Sequence, residues 1–207
     1  MELYKNITAA DFNNLLPMGS GVLQTELRSY LRDAVRYGLK PVIPASLYTA
    51  LESLLDERIE GWDRTVTYSS GAKVLRGDTV YISSSSSTGE EPEDTSAKWT
   101  VLYLWEAWKQ IREYICFKAG EAFFAHNGIK LNPAGMQKVA NGSGLENVSD
   151  RERANMVAFA RSRADIAFSE FLRWIDEDKS YNLDGTEYAF SGTDISDYSS
   201  DFNIDTY

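Results

Sequence analysis

The stretch from residue 99 to residue 124, WTVLYLWEAWKQIREYICFKAGEAFF, contains no proline, and its first glycine is Gly120. Leu104, Ala107, Trp108, Ile111, Ile115, Ala119 and Ala122 recur there at steps of three and four, which predicts one apolar face of a helix of about 25 residues. Trp105, Tyr114 and Phe117 fall off that stripe. A helix apolar on more than one side is expected to be covered by other elements all round or by a neighbouring subunit. The flanking segments are therefore read as pieces packed on it.

Toward the C-terminus, HNGIKLNPAGMQKV (126–139) holds an Asn-Gly turn, a short alternating GIKL segment and a Pro-Ala-Gly turn, the pattern of a small hairpin. Ser149 and Glu152 are spaced as a capping box and open a predicted helix to about Glu177. Its inner stripe is Met156, Ala160, Ala164, Ala167, Phe168, Phe171 and Ile175, while Arg151, Arg153, Arg161, Arg163 and Arg173 lie mostly outside it. The small alanines allow close packing on the 99–124 helix, and this pair is the predicted heart of the fold. From Tyr181 onward there is no lysine or arginine. Acids there alternate with Tyr188, Phe190, Tyr198 and Phe202 without a helical period. Such a segment cannot bury enough apolar surface on its own to offset its ordering entropy, so it is expected to be an arm that orders along a partner or neighbouring subunit.

Toward the N-terminus, residues 62–98 change character. TVTYSSGAKVLRGDTVYISSSSS alternates apolar and polar residues and predicts two or three short antiparallel strands. A polar loop with Glu90, Glu91, Glu93 and Asp94 follows, read as a solvated charge run. Thr8 and Asp11 form a capping pair for a helix from Ala9 to about Leu16, stopped by Pro17. Leu23, Leu27, Tyr30, Leu31 and Ala34 mark the next helix, with Arg28, Arg32 and Arg36 in a row on another face. That row is either a solvated face or a docking stripe for an acidic partner. Gly38 should end this helix, KPVIP (40–44) should be extended, and Leu47, Leu51, Leu54, Leu55 and Ile59 mark a third helix ended by Gly61.

The predicted fold is mainly α: a helical bundle built on two long helices, with a small antiparallel β insertion and an extended C-terminal arm. The expected divisions are N-terminal helices (1–61), insertion (62–98), long helices with a connecting hairpin (99–178) and acidic-aromatic arm (179–207).

Composition narrows the function. With 21 basic and 31 acidic residues the formal charge is −10, which argues against gripping nucleic acid by phosphate neutralisation. Cys116, the one cysteine, lies inside the central helix, so disulfide frameworks and Cys-based zinc sites are excluded. His126 is the sole histidine and is expected to be a hydrogen-bonded helix-end residue. No GxSxG, Walker-type loop, HExxH or CxxC occurs. Asp176, Asp178 and Asp184 near Gly185 lack the glycine placement and closing glutamate of a calcium loop. The N-x-Ser/Thr triplets at Asn6, Asn141 and Asn147 are of a kind that occurs often by chance. Residues 1–12 lack the basic flank and apolar run of a secretion signal, and no segment has 18 consecutive apolar residues, so a soluble product made in a cytoplasm is expected. No catalytic residue, cofactor or metal ligand is assigned.

The order of elements, ITAADFNNLLP, then ELRSYLRDAVRYGLKPVIPASLYTALES, then the aromatic helix and a last helix ending FLRWI, resembles head-tail connector (adaptor) proteins of tailed bacteriophages, particularly of Bacteroidetes phages. The resemblance covers roughly residues 7–60 and 97–176. It implies a subunit of a homo-oligomeric ring, typically of twelve copies, beneath the portal protein and facing the tail or a second neck protein. The ring would continue the DNA channel without specific binding. It further implies a virion neck protein assembled in the bacterial host cytoplasm, with no membrane partner, enzyme activity or cofactor. The contact residues expected on this reading are Arg28, Arg32, Arg36, Tyr188, Phe190, Tyr198 and Phe202, with Tyr68 and Tyr81 as possible insertion contacts.

Residues 62–99 separately resemble small chitin- and cellulose-binding modules in their spacing of Trp, Tyr, Gly, Val, Gly, Tyr, Gly, Pro and Trp. That resemblance implies exposed aromatics stacking on sugar rings, and hence the alternative of a carbohydrate-binding module on a helical scaffold. Trp62 and Trp99 are expected to close the base of the insertion.

Overall fold

The computed structural model describes residues 3–16, 24–93, 96–126, 137–139, 145–147 and 149–177. The protein is mainly helical, with a small mixed sheet of four strands and further two-stranded pairs. Its contacts separate two compact units, residues 1–42 with 110–171 and residues 43–109 with 172–207.

The first unit begins with a 3₁₀ turn, Leu3–Asn6, and α1, Ala9–Leu15. The predicted capping box forms: the Asp11 amide donates to Thr8 Oγ1 at 3.2 Å and the Thr8 amide donates to Asp11 Oδ2 at 2.8 Å. Helix α2, Gln24–Asp33, does not end at Gly38 in a simple cap. It widens into a π turn, Ala34–Leu39, in which the Lys40 amide donates to Val35 O at 2.9 Å. The Val42 amide then donates to Leu39 O at 3.0 Å, so the chain turns through Lys40–Val42 where an extended link was predicted. Lys40 is helical (φ −57°, ψ −32°) despite preceding Pro41, because these two amide bonds hold it there.

Within this unit lies residue 110 onward of α4, Tyr103–His126. Tyr114, Ile115, Cys116 and Phe117 are all buried. Four consecutive residues at about 100° each span most of the helix circumference, so α4 is covered on several sides here, with Glu113 left exposed. Tyr114 packs on Phe168 with ring centres 5.0 Å apart, and Phe123 meets Phe12 and Tyr30 edge-on at 6.1 and 5.5 Å. The unit's part of α5, Asp150–Glu177, buries Ala160, Ala164, Ala167, Phe168 and Phe171. The second capping box also forms, with the Glu152 amide donating to Ser149 Oγ at 3.3 Å and the Ser149 amide to Glu152 Oε2 at 2.9 Å. Between the two helices β7 (Gln137–Val139) pairs antiparallel with β8 (Leu145–Asn147). The hairpin thus uses QKV as its first strand and Leu145–Asn147, a stretch with no predicted element, as its second, while GIKL lies outside the described residues.

The second unit holds α3, Ala45–Asp56, and the strands. These are β1 (Glu60–Gly61), β2 (Thr67–Tyr68), β3 (Lys73–Arg76), β4 (Thr79–Ser83), β5 (Ser87–Thr88) and β6 (Trp99–Val101). The main sheet runs β1-β3-β4-β6 and β2 pairs with β5. The sheet is mixed, not purely antiparallel, because β1 lies parallel to β3 with Glu60 opposite Val74. Gly77, at φ +62°, sits in the two-residue β3–β4 turn, where a left-handed conformation matches the twist of the strands. Trp99–Val101, predicted as helix, is a strand paired with Tyr81–Ser83. Aromatic and β-branched side chains favour that pairing, and α4 starts only after the Leu102 amide has donated to Val80 O at 2.8 Å.

Two pairs of side chains in the first unit allow direct tests of packing. A Cβ on Gly120 would fall 2.4 Å from Leu16 Cδ1, and Leu16 is itself buried. Gly120→Ala is expected to destabilise by about 1 kcal/mol net in urea unfolding, overpacking of ~1–3 kcal/mol outweighing a helix-propensity gain of about 1. Leu16→Ala should cost measurably less in that background than in the wild type. Equal costs would show that the two residues do not press on each other. Burial works to raise the Glu121 carboxyl, but hydrogen bonds from Arg161 (2.8 Å) and Lys118 outweigh it and leave it below its ordinary value of 4.5. A depressed carboxylate stabilises above the unfolded-state value and loses that stabilisation as pH falls through the folded one. The stability gap between wild type and Arg161→Met is expected at neutral pH and should close below about pH 4.5.

Candidate functional site

Helix α2 and the π turn turn Leu27, Leu31, Val35 and Leu39 inward at steps of four. The same step one residue on, about 100° round the helix, exposes Arg28, Arg32, Arg36 and Lys40. A step of four overshoots one α-helical turn by about 40°, and the wider π turn takes up that drift, so the cations keep one row. The turn is supported from beneath, where the Tyr114 hydroxyl donates to Gly38 O at 3.2 Å. Beside the row Tyr37 is 69% exposed, and the Arg36 guanidinium lies over its ring at 5.6 Å. Arg32 Nε pairs with Asp33 at 3.2 Å in an exposed setting, where such a pair contributes little. Arginine beside an exposed aromatic ring is the side-chain chemistry enriched at protein contact sites. Tyr37 and Lys40 extend the predicted stripe. Lys40 continues the step of four that the three arginines begin, but the π turn that keeps it in line has no sequence signature.

The insertion contacts are placed differently from expectation. Tyr81 is buried in a small core with Val74 and Trp99, against which Trp62, Tyr68 and Val101 pack. Tyr68 meets Trp99 edge-on at 5.5 Å, and its hydroxyl accepts from the Asp63 amide at 2.7 Å. β4 is a central strand that buries the adjacent Val80 and Tyr81, one on each face, so alternation leaves neither in solvent. Trp62 and Trp99 share this core, as expected of residues that close the insertion. Tyr188, Phe190, Tyr198 and Phe202 lie outside the described residues.

The acidic loop is braced rather than freely solvated. Glu90 accepts from Lys98 at 2.9 Å and Ser96 at 3.0 Å, bonds that hold its carboxyl below the ordinary range, and Arg76 pairs with Glu91 and Glu93. Asp94 lies outside the described residues. Nearby, Thr79, Ser96, Thr100, Tyr103 and Glu106 line an open cleft of about 510 Å³. Its carboxylate, Glu106, is paired with Lys109 at 2.7 Å. Cys116 is buried, and burial pushes its thiol up to about 12, the state of an inert core residue. His126 closes α4 with Nδ1 2.8 Å from Ala122 O and its ring stacked on Tyr30. Among the described residues no group of three or more His, Cys, Asp or Glu is placed to hold a metal ion, and no helix is long and apolar enough to cross a membrane.

Comparison with protein-family models, with curated proteins and with solved structures finds no match. The surface of α2 is therefore interpreted on its own chemistry.

Removing the Tyr81 ring should act on the fold. Tyr81→Ala is expected to cost about 3 kcal/mol, as a large buried aromatic does. Unchanged thermal unfolding would show instead that the ring is dispensable to the core. Tyr114→Phe should cost about 1 kcal/mol and speed hydrogen exchange at the Lys40 amide, if the hydroxyl holds the π turn.

Proposed function

We propose that the chain is a structural virion protein, a head-tail connector subunit forming a ring between the portal and the tail and continuing the DNA channel. The bundle built on α4 and α5 is its body, and residues 179–207 are its extended arm. The ring is a homo-oligomer of about twelve copies in line with the connector resemblance, assembled in the host cytoplasm and resident in the neck.

Segregation of charge carries this reading. The chain totals −10, yet four cations stand exposed in one row on a single element beside an exposed tyrosine. A ring made head to tail needs two different, complementary patches on each subunit, and a cationic row on an acidic chain supplies that asymmetry. The remaining acidity suits a wall that DNA slides past, since like charge opposes adhesion. The complete burial of residues 114–117 gives the body a rigid helix on which such a surface can be held. The function requires neither a catalytic residue nor a cofactor. Against the glycan-binding alternative, Tyr81 is buried and Tyr68 half-buried against the core of the β unit.

Quantitative mass spectrometry of purified particles, calibrated against the portal and major capsid proteins, tests the assignment. A copy number near one per portal subunit is expected. Absence from particles, or hundreds of copies, would overturn it.

A further inference from the structure

The cationic row has a counterpart within the same chain. Residues 181–207 carry Asp184, Glu187, Asp194, Asp197, Asp201 and Asp205 and no lysine or arginine. The last four acids stand three or four residues apart, roughly 10–13 Å along an extended chain, so two or three of them fall within the length of the row. Tyr198 and Phe202 each follow an aspartate directly, as Tyr37 follows Arg36. Each aromatic thus travels with a charge of the sign its counterpart lacks.

We propose that the arm of one copy docks on the α2 row of a neighbouring copy, its aspartates pairing with Arg28, Arg32, Arg36 and Lys40 and its rings packing beside Tyr37. The row is about 18 Å long at 1.5 Å per residue, whereas 27 residues extended reach roughly 90 Å, so the arm has length to leave its own copy and still cover the row. The apolar part of the contact is small and the charges are exposed, so attraction is screened by salt and each single ion pair is weak. Several pairs on one connected segment supply the affinity that one pair does not. This inference rests on the connector reading in one respect only, that copies of the chain meet.

A charge swap between two full-length variants tests it. Sedimentation velocity at low salt should show self-association of the wild type, weakened at least tenfold by Arg28→Glu/Arg32→Glu/Arg36→Glu or by Asp194→Lys/Asp197→Lys/Asp201→Lys alone. Mixing the two variants should restore association, because the reversed row of one then meets the reversed arm of the other. Circular dichroism checks that both variants fold. A copy reversed at Arg151 and Arg163 in place of the row keeps row and arm intact and should self-associate as the wild type does; loss of association there would reduce the effect to net charge and overturn the proposal. Failure of the mixture to associate would overturn it as well, whether the arm folds back on its own chain or meets another neck protein. The swap needs no virus particle, so it can succeed while the copy-number test fails, and the reverse.

Discussion

The constraint on which the first unit depends is that α4 buries four consecutive residues, Tyr114–Phe117. A helix in that position cannot be satisfied by one partner, because its apolar surface runs round most of the circumference. Elements from both ends of the unit's sequence must therefore close on it. The 3₁₀ turn, α1 and α2 come from before it and α5 from after it, so the core forms only when segments more than a hundred residues apart meet. Close approach sets the small residues. Gly120 stands where a methyl would strike Leu16, and Ala160 and Ala164 on α5 are fully buried. Polar anchoring sits at the margin of this core, in Arg112 with Asp11 and Arg161 with Glu121.

The second unit solves a different problem. Its strands are two to five residues long, too short for a sheet face to make a core by itself. Trp62, Tyr68, Tyr81 and Trp99 compensate by concentrating large rings around Val74. The polar ends of two of these rings are used as ties, Trp99 Nε1 donating to Glu90 O at 3.1 Å and the Tyr68 hydroxyl accepting from Asp63. The acidic loop is pinned by the first of these ties as well as by Lys98 and Arg76. What reads as a decorative charge run is thereby part of the unit's closure.

Local signals with a single stereochemical meaning were legible in the sequence. Both capping boxes form as spaced, and α1, α3 and α5 start where those or the proline rules place them. Signals shared by two structures were not. Residues 99–101 satisfy a helical period as well as a strand, and pairing with β4 decides between them. Tyr68 and Tyr81 fit an exposed sugar platform or a buried core equally well on spacing alone, and the face that a strand turns inward depends on its neighbours. The π turn lies beyond such reasoning, since its carbonyl at Gly38 is met by Tyr114, 76 residues away.

That π turn links the core to the surface. A regular α-helix through residues 34–39 would carry Arg36 and Lys40 progressively round from Arg28 and dissolve the row into scattered charges, each worth little. The Tyr114 hydroxyl is held by burial, its ring against Phe168 of α5. Packing around α4 thus places a hydroxyl donor on a carbonyl inside the wide turn, and the cationic row runs onto the outer side of that same turn.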